Sequence, residues 1–231
     1  MIQSDFVTQA SREDVFHSSR NEALLAGVAE VFRDAVLEFC EHPSLQYQWM
    51  RYLPGDSVSD AFWKGLKPKI ELLLKDTPIL RSRSELSLYR PGKLRRLTAD
   101  MHDQHGEPLF ADLRDEIYLS PRYAASDCEI LRSLGTLTIS ANKVLDRVKA
   151  DLMEPNSKLK ATATDKDWHT RAAKLLSRHF EHHGHGRLLD RIRSLPLIPL
   201  HGDRWASARN LPIYLPKTGG IPVPTDLGLD L

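Results

Sequence analysis

The side chains most able to do chemistry in this chain lie in four places. His179, His182, His183 and His185 sit close together, and neutral imidazoles three or four residues apart on a helix can converge on a zinc ion. They run into Gly184 and Gly186, and no cysteine or carboxylate set completes a shell, so the segment reads as a solvated helix end and no metal is assigned. The stretch "DWHTR" brings Asp167, His169 and Arg171 near one helix start. Asp165 or Asp167 reads there as an N-cap rather than an acid, and His169 as a surface residue rather than a base. "YRPGKLRRL" and "RLLDRIR" are local basic patches, but aromatics are sparse and acids surround them, so they read as solvated surface and no nucleic-acid partner is assigned. The fourth place is Arg12, between Ser11 and Glu13, whose planar guanidinium can hold two oxygens of an anion at once. Its local reading is a cap or pair within a strand-to-helix turn, with Glu13 and Asp14 favouring the positive end of the helix that follows.

Several chemistries lack their residues. There is no Gly-rich loop ending in Lys and Ser or Thr to cradle phosphates, and no Gly-x-Ser-x-Gly to expose a nucleophile at an elbow. Cys40 and Cys128 are far apart, with Cys40 on the apolar side of a helix pattern, so both read as buried free thiols in a reducing compartment.

The elements that position these residues are mostly helical. From Ser19 to Glu41 apolar residues recur at three-and-four spacing, with Ser18 or Ser19 as the cap and Pro43 limiting the end. "LQYQWMRYL" reads as a short aromatic-rich helix. A third helix starts from Ser59 with Phe62, Leu66, Ile70, Leu73 and Leu74 on one side, and should dock on the first. Residues 77–121 hold strand-like pieces at "PILRSR" and "LSLYR" and a turn at "RPGK". Helical periodicity returns at Asp127–Leu134, Ser140–Leu152 and Lys166–His182, the last with Trp168, Ala172, Leu175, Leu176 and His179 along one side. Short strands around a Gly-Asp turn close the chain in "PLIPLHGDRWASARNLPIYLP". The expected class is α+β, mainly α, in three segments: 1–76, 77–126 and 127–231.

The length of 231 residues, 41% hydrophobic and 27% charged, allows one sizeable core or a core with a satellite lobe. Lys plus Arg number 32 against 31 for Asp plus Glu, a net charge of +1 that gives no global attraction to polyanions or anionic lipid. The opening residues lack the pattern of a secretory leader and no apolar run is long enough to span a membrane, so the expected place is the cytosol or nucleus, with no membrane partner.

"SRE" entering a long amphipathic helix resembles the middle domain of the 90-kDa heat-shock chaperones. "IQSDFVTQASREDV", "HPSLQYQWMRYLP", "GEPLF", "YLSPRY", "DWHTRAAKLL" and "LPLIPLHGDRWAS", in this order, resemble the segment downstream of the ATPase domain in large sacsin-like or NO VEIN-like proteins of fungi and plants. The resemblance implies a C-terminal piece of such a protein, behind a nucleotide-binding domain of the histidine kinase and heat-shock chaperone type. It implies that Arg12, flanked by Ser11 and Glu13, contacts the terminal phosphate of ATP. The chaperone pattern has Asn where this chain has Gln9, and Gln where it has Phe16. The chain carries neither the Glu and Asn four apart nor the Asp-x-Gly-x-Gly turn of such an ATPase domain, so ATP and magnesium belong to the upstream domain and no cofactor to this chain. The expected role is a non-catalytic coupling segment whose partners are the upstream ATPase domain in cis and protein clients. The alternative is a free-standing helical interaction module without nucleotide chemistry, suggested by the aromatic cluster Tyr47, Trp49 and Tyr52.

Overall fold

The computed structural model describes residues 5–8, 15–55, 60–84, 86–161, 164–182, 187–200 and 204–209, with only the backbone described at 179–182 and 187. Among the described residues helix outweighs strand, 49% against 13%, which makes the fold α+β and mainly α. The chain separates into two compact units, residues 1–96 with 114–138, and residues 97–113 with 139–231. These divisions do not coincide with 76 and 126, the segment ends read from the sequence.

In the first unit, α1 (Ser19–Glu41) begins at the Ser18 cap, whose hydroxyl accepts the Asn21 amide at 3.2 Å, and stops at His42, just before Pro43. Its stripe of Leu25, Ala29, Val36 and Cys40 is buried. It packs against α2 (Leu66–Asp76), which buries Leu66, Ile70 and Leu74. The approach is close: a Cβ on Gly65 would meet the Leu25 side chain at 3.5 Å. The cap of this second helical stretch is Asp60, which accepts the Phe62 and Trp63 amides at 2.8 and 3.1 Å and opens a 3₁₀ turn, Trp63–Gly65, that runs into α2. Ser59 lies outside the described residues. The "LQYQWMRYL" stretch forms a 3₁₀ turn at Trp49–Tyr52.

β1 (Leu80–Arg81) and β2 (Leu88–Tyr89) pair antiparallel, as "PILRSR" and "LSLYR" suggest. The basic patch "KLRRL" is instead the middle strand β3 (Leu94–Arg96) of a three-stranded parallel sheet, flanked by β4 (Ile117–Tyr118) and β5 (Leu137–Thr138). α3 (Cys128–Ser133) lies between β4 and β5 in the chain.

The second unit contains α4 (Ala141–Met153), α5 (Lys166–His182), α6 (Arg187–Arg193) and the antiparallel pair β6 (Ile198–Pro199) and β7 (Trp205–Ala206). Its buried side chains include Met101, Leu109 and Phe110 from residues 97–113, Val144, Leu145 and Val148 from α4, and Trp168, Ala172 and Leu175 from α5. None of the described helices is long and apolar enough to cross a membrane.

The N-terminal segment departs from its expected form. The sequence suggests that Asp5 to Gln9 form an unpaired edge strand, with amides of residues 2–10 exchanging freely. Thr8 instead bridges Val15 antiparallel, and Val7 is held from both sides. Its N–H donates to Asn21 Oδ1 at 2.9 Å, and its carbonyl accepts Asn21 Nδ2 at 2.7 Å and the Phe16 amide at 3.0 Å. Phe6 meets Phe62 and Trp63 edge-on at centroid separations of 5.8 and 5.1 Å. The segment therefore finds its partners within its own unit.

Candidate functional site

Ser11, Arg12 and Glu13 lie outside the described residues, as do His183, His185 and the side chains of His179 and His182. Among the described residues no group of His, Cys, Asp and Glu is placed to hold a metal ion. What can be built of the Arg12 region is its two ends. Thr8 and Val15 pair across, and Asn21 in the first turn of α1 binds Val7 and, through Nδ2, the Phe16 carbonyl at 2.6 Å. The two ends of the segment carrying Arg12 are thus side by side at the start of a long helix.

The aromatic cluster proposed as a docking surface is largely core. Trp49 is completely buried, Tyr47 is buried against Tyr123 with the Arg122 guanidinium 4.2 Å above its ring, and only Tyr52 is exposed. Aromatic residues at short spacing mark a core as readily as a surface, and here Tyr47 and Trp49 belong to the core cluster with residues of α1 and α2.

Cys40 is buried at the C-terminal end of α1, its thiol donating to the Ile79 carbonyl. Burial pushes the thiol up to about 12, against the opposing pull of Arg81, which leaves almost no thiolate at neutral pH. Cys128 is half-buried rather than buried. Cys40 therefore does not sit in the electropositive, accessible setting of a nucleophile.

The basic patches are also partly consumed. In "YRPGKLRRL", Arg95 turns inward to Glu116 and Arg96 reaches the Cys128 carbonyl. In "RLLDRIR", Arg191 donates to Asn142 and Asp146 at 2.7 and 2.6 Å.

Asp167, His169 and Arg171, adjacent in sequence, are divided by the turn of α5. Asp165 accepts the Asp167 amide at 3.2 Å and Gln104 Nε2 at 2.6 Å, so it serves as a cap. Asp167 and Arg171 line a polar cleft of about 350 Å³ with Lys174, Arg178 and Asp100. Burial opposes ionisation of Asp100, but hydrogen bonds from Thr98, its own backbone and Arg178 outweigh it and hold the carboxyl below the usual range. His169 faces the other way, half-buried, with Nε2 3.3 Å from the Leu159 carbonyl. Among the described residues of this region no acid, base and nucleophile converge.

His169 belongs to an apolar groove of about 920 Å³. Its α5 wall is His169, Ala173, Leu176 and Ser177. Leu159, Lys160 and Ala161 close one side, and Ile192 of α6 with Leu197, Pro199 and Trp205 around the β6–β7 pair close the other. Lys160 sends its ammonium to the Leu152 carbonyl at 2.7 Å, so its charge is engaged with backbone while its stem lies along the wall. The sequence spacing puts Leu176 on the core stripe with Trp168, Ala172 and Leu175. The legible sign of the groove is a second stripe on α5, His169, Ala173 and Leu176, one face round from the first.

No family model, curated protein or solved structure matches this chain.

Proposed function

We propose that this chain is a non-catalytic protein-interaction module of the cytosol or nucleus, whose groove along α5 takes an amphipathic helical segment of another protein. The observation that carries this reading is the groove itself: an open, mainly apolar surface of about 920 Å³ lined by residues of α5, α6, the 159–161 segment and the β6–β7 pair. Among the described residues around it no acid, base and nucleophile converge, and such a surface suits binding. The test is titration of the full chain with a fluorescent helical peptide bearing a leucine stripe and a glutamine flank. Leu176→Asp should weaken binding by about thirtyfold, the effect of losing one well-placed anchor contact, while Leu176→Met should retain it. Unaltered binding by Leu176→Asp, in a variant that melts like the wild type, would place the interaction elsewhere.

A second reading is favoured by the pairing of Thr8 with Val15, which brings together the ends of the segment bearing Arg12 at the start of α1. In that reading the module couples to an upstream chaperone-type ATPase domain, which supplies ATP and magnesium, and Arg12 meets the terminal phosphate. Arg12→Ala should then slow single-turnover hydrolysis by the two domains in one chain about ten- to hundredfold, the loss of one charge-assisted contact. Equal rates would remove Arg12 from the reaction.

A further inference from the structure

We propose that the polar cleft beside α5 binds a single dianionic phosphate group between Arg171 and Lys174. This site is separate from the apolar groove and does not rest on it. Arg171, Lys174 and Arg178 recur at three and four residues along α5 and all line the cleft, to which the 3₁₀ turn Ala99–Met101 contributes Asp100. Cations at that spacing repel one another unless an anion meets them. Arg178 has its anion: it donates to Asp100 at 3.2 Å, and the same carboxylate also accepts the Thr98 hydroxyl. Arg171 and Lys174 are exposed and, among the described residues, have neither a hydrogen bond nor an ion pair. Asp167 lies one turn before Arg171 without pairing to it.

Two cations one turn apart, both lacking a partner, are met best by two negative charges in one place. A phosphate monoester carries nearly that on one group, with three acceptor oxygens to share between the planar fork of Arg171 and the ammonium of Lys174. A carboxylate brings only one charge. The Thr170 hydroxyl adds no donor, because it is committed to the Lys166 carbonyl at 2.9 Å. The two carboxylates of the cleft limit what can carry the phosphate. Asp167 stands before the two cations and Asp100, with Arg178, after them, so a nucleic-acid strand would bring its neighbouring phosphates against like charges. A lone phosphate group avoids both. The cleft volume of about 350 Å³ lies at the lower end of small-molecule sites, roughly 300 to 1,000 Å³, and so suits a compact ligand. Free phosphate and a small phosphomonoester both present the required group, and the test tells them apart.

The test is isothermal titration calorimetry of the full chain with glycerol 3-phosphate, inorganic phosphate and glycerate at low salt. Glycerol 3-phosphate should bind about tenfold tighter than glycerate, which is of similar size but carries a single charge. R171Q and K174Q, helix-compatible changes at exposed positions, should each weaken glycerol 3-phosphate about tenfold and leave the melting temperature unchanged. D167N should tighten it about threefold by removing a like charge, a gain that misfolding cannot produce. Tighter binding of glycerol 3-phosphate than of inorganic phosphate assigns the site to a phosphomonoester, and equal binding assigns it to free phosphate; the dianion site stands in both cases. Equal affinity for glycerate and glycerol 3-phosphate overturns the proposal. So does binding that R171Q and K174Q leave unchanged, or the absence of binding by either phosphate at about 10 mM. A single-stranded oligonucleotide that binds more tightly than glycerol 3-phosphate, and loses its binding in the same two variants, overturns it in favour of a polyanion.

Discussion

Replacing Asn21 with alanine should destabilise the first unit by about 3 kcal/mol and speed exchange of the Val7 amide by roughly two powers of ten. Asn21 is completely buried, and its carboxamide serves three backbone groups: the Val7 N–H, the Val7 carbonyl at 2.7 Å and the Phe16 carbonyl at 2.6 Å. Truncation leaves these groups short of a partner in a part-buried place, at roughly 1 to 3 kcal/mol for each that water cannot reach. Asn21→Asp discriminates further. The aspartate is nearly the same shape and keeps an acceptor for Val7, but it turns two donated hydrogen bonds into an oxygen facing two carbonyl oxygens. It should therefore destabilise at least as much as alanine at neutral pH. Denaturant unfolding followed by near-ultraviolet absorption, with amide exchange at Val7, gives both readouts. Variants within 0.5 kcal/mol of the wild type, the range of an ordinary surface change, would mean that the N-terminal segment is held by Phe6 against Phe62 and Trp63 alone.

Removing the carboxylate of Glu116 should cost a similar amount. Arg95 Nε and Nη2 both donate to Glu116 Oε1, at 3.2 and 3.1 Å, and the two side chains are only 13% and 9% exposed. β3 and β4 run parallel there, with Arg95 opposite Tyr118, so the pair lies beside the ladder between neighbouring strands. Glu116→Ala strands a nearly buried guanidinium whose described partners are then the Gly92 and Leu94 carbonyls. Breaking a buried pair by one partner costs roughly 3 to 5 kcal/mol, and the backbone contacts place this case near the lower end, about 3 kcal/mol. The double change Arg95→Met with Glu116→Leu removes both charges and fills the space, so it should restore most of that loss. If the single change costs less than 1 kcal/mol, the pair behaves as a surface ion pair and the sheet does not depend on it.

The helices were legible because their cause is local. Periodic apolar residues, Ser18 as a cap and Pro43 as a stop define α1, and similar periodicity defines α4 and α5 within a residue, whereas α2 begins only at Leu66, behind a 3₁₀ turn, and not at the expected Ser59. The antiparallel pair β1 and β2 was legible for the same reason: two short apolar runs separated by a few residues can meet without help from elsewhere. The parallel sheet was not. Its strands are two or three residues long, β3 carries two arginines, and between β3 and β4 the chain passes through residues 97–113 of the other unit, so no window of sequence contains the pattern. Asn21 looked like one polar residue in a helix's first turn, and only the return of Val7 and Phe16 to that turn makes it a clasp. The groove follows the same logic: Leu176 has the spacing of a core residue, and whether it faces the interior or a partner depends on where α6 and the β6–β7 pair come to rest. Sequence determined which residues are helical and which side of each helix is apolar, because those follow from backbone hydrogen bonds and side chains three and four apart. Tertiary structure alone decided which apolar faces are covered and which charges are paired, because burial and ion pairing belong to residues that the chain brings together from far apart.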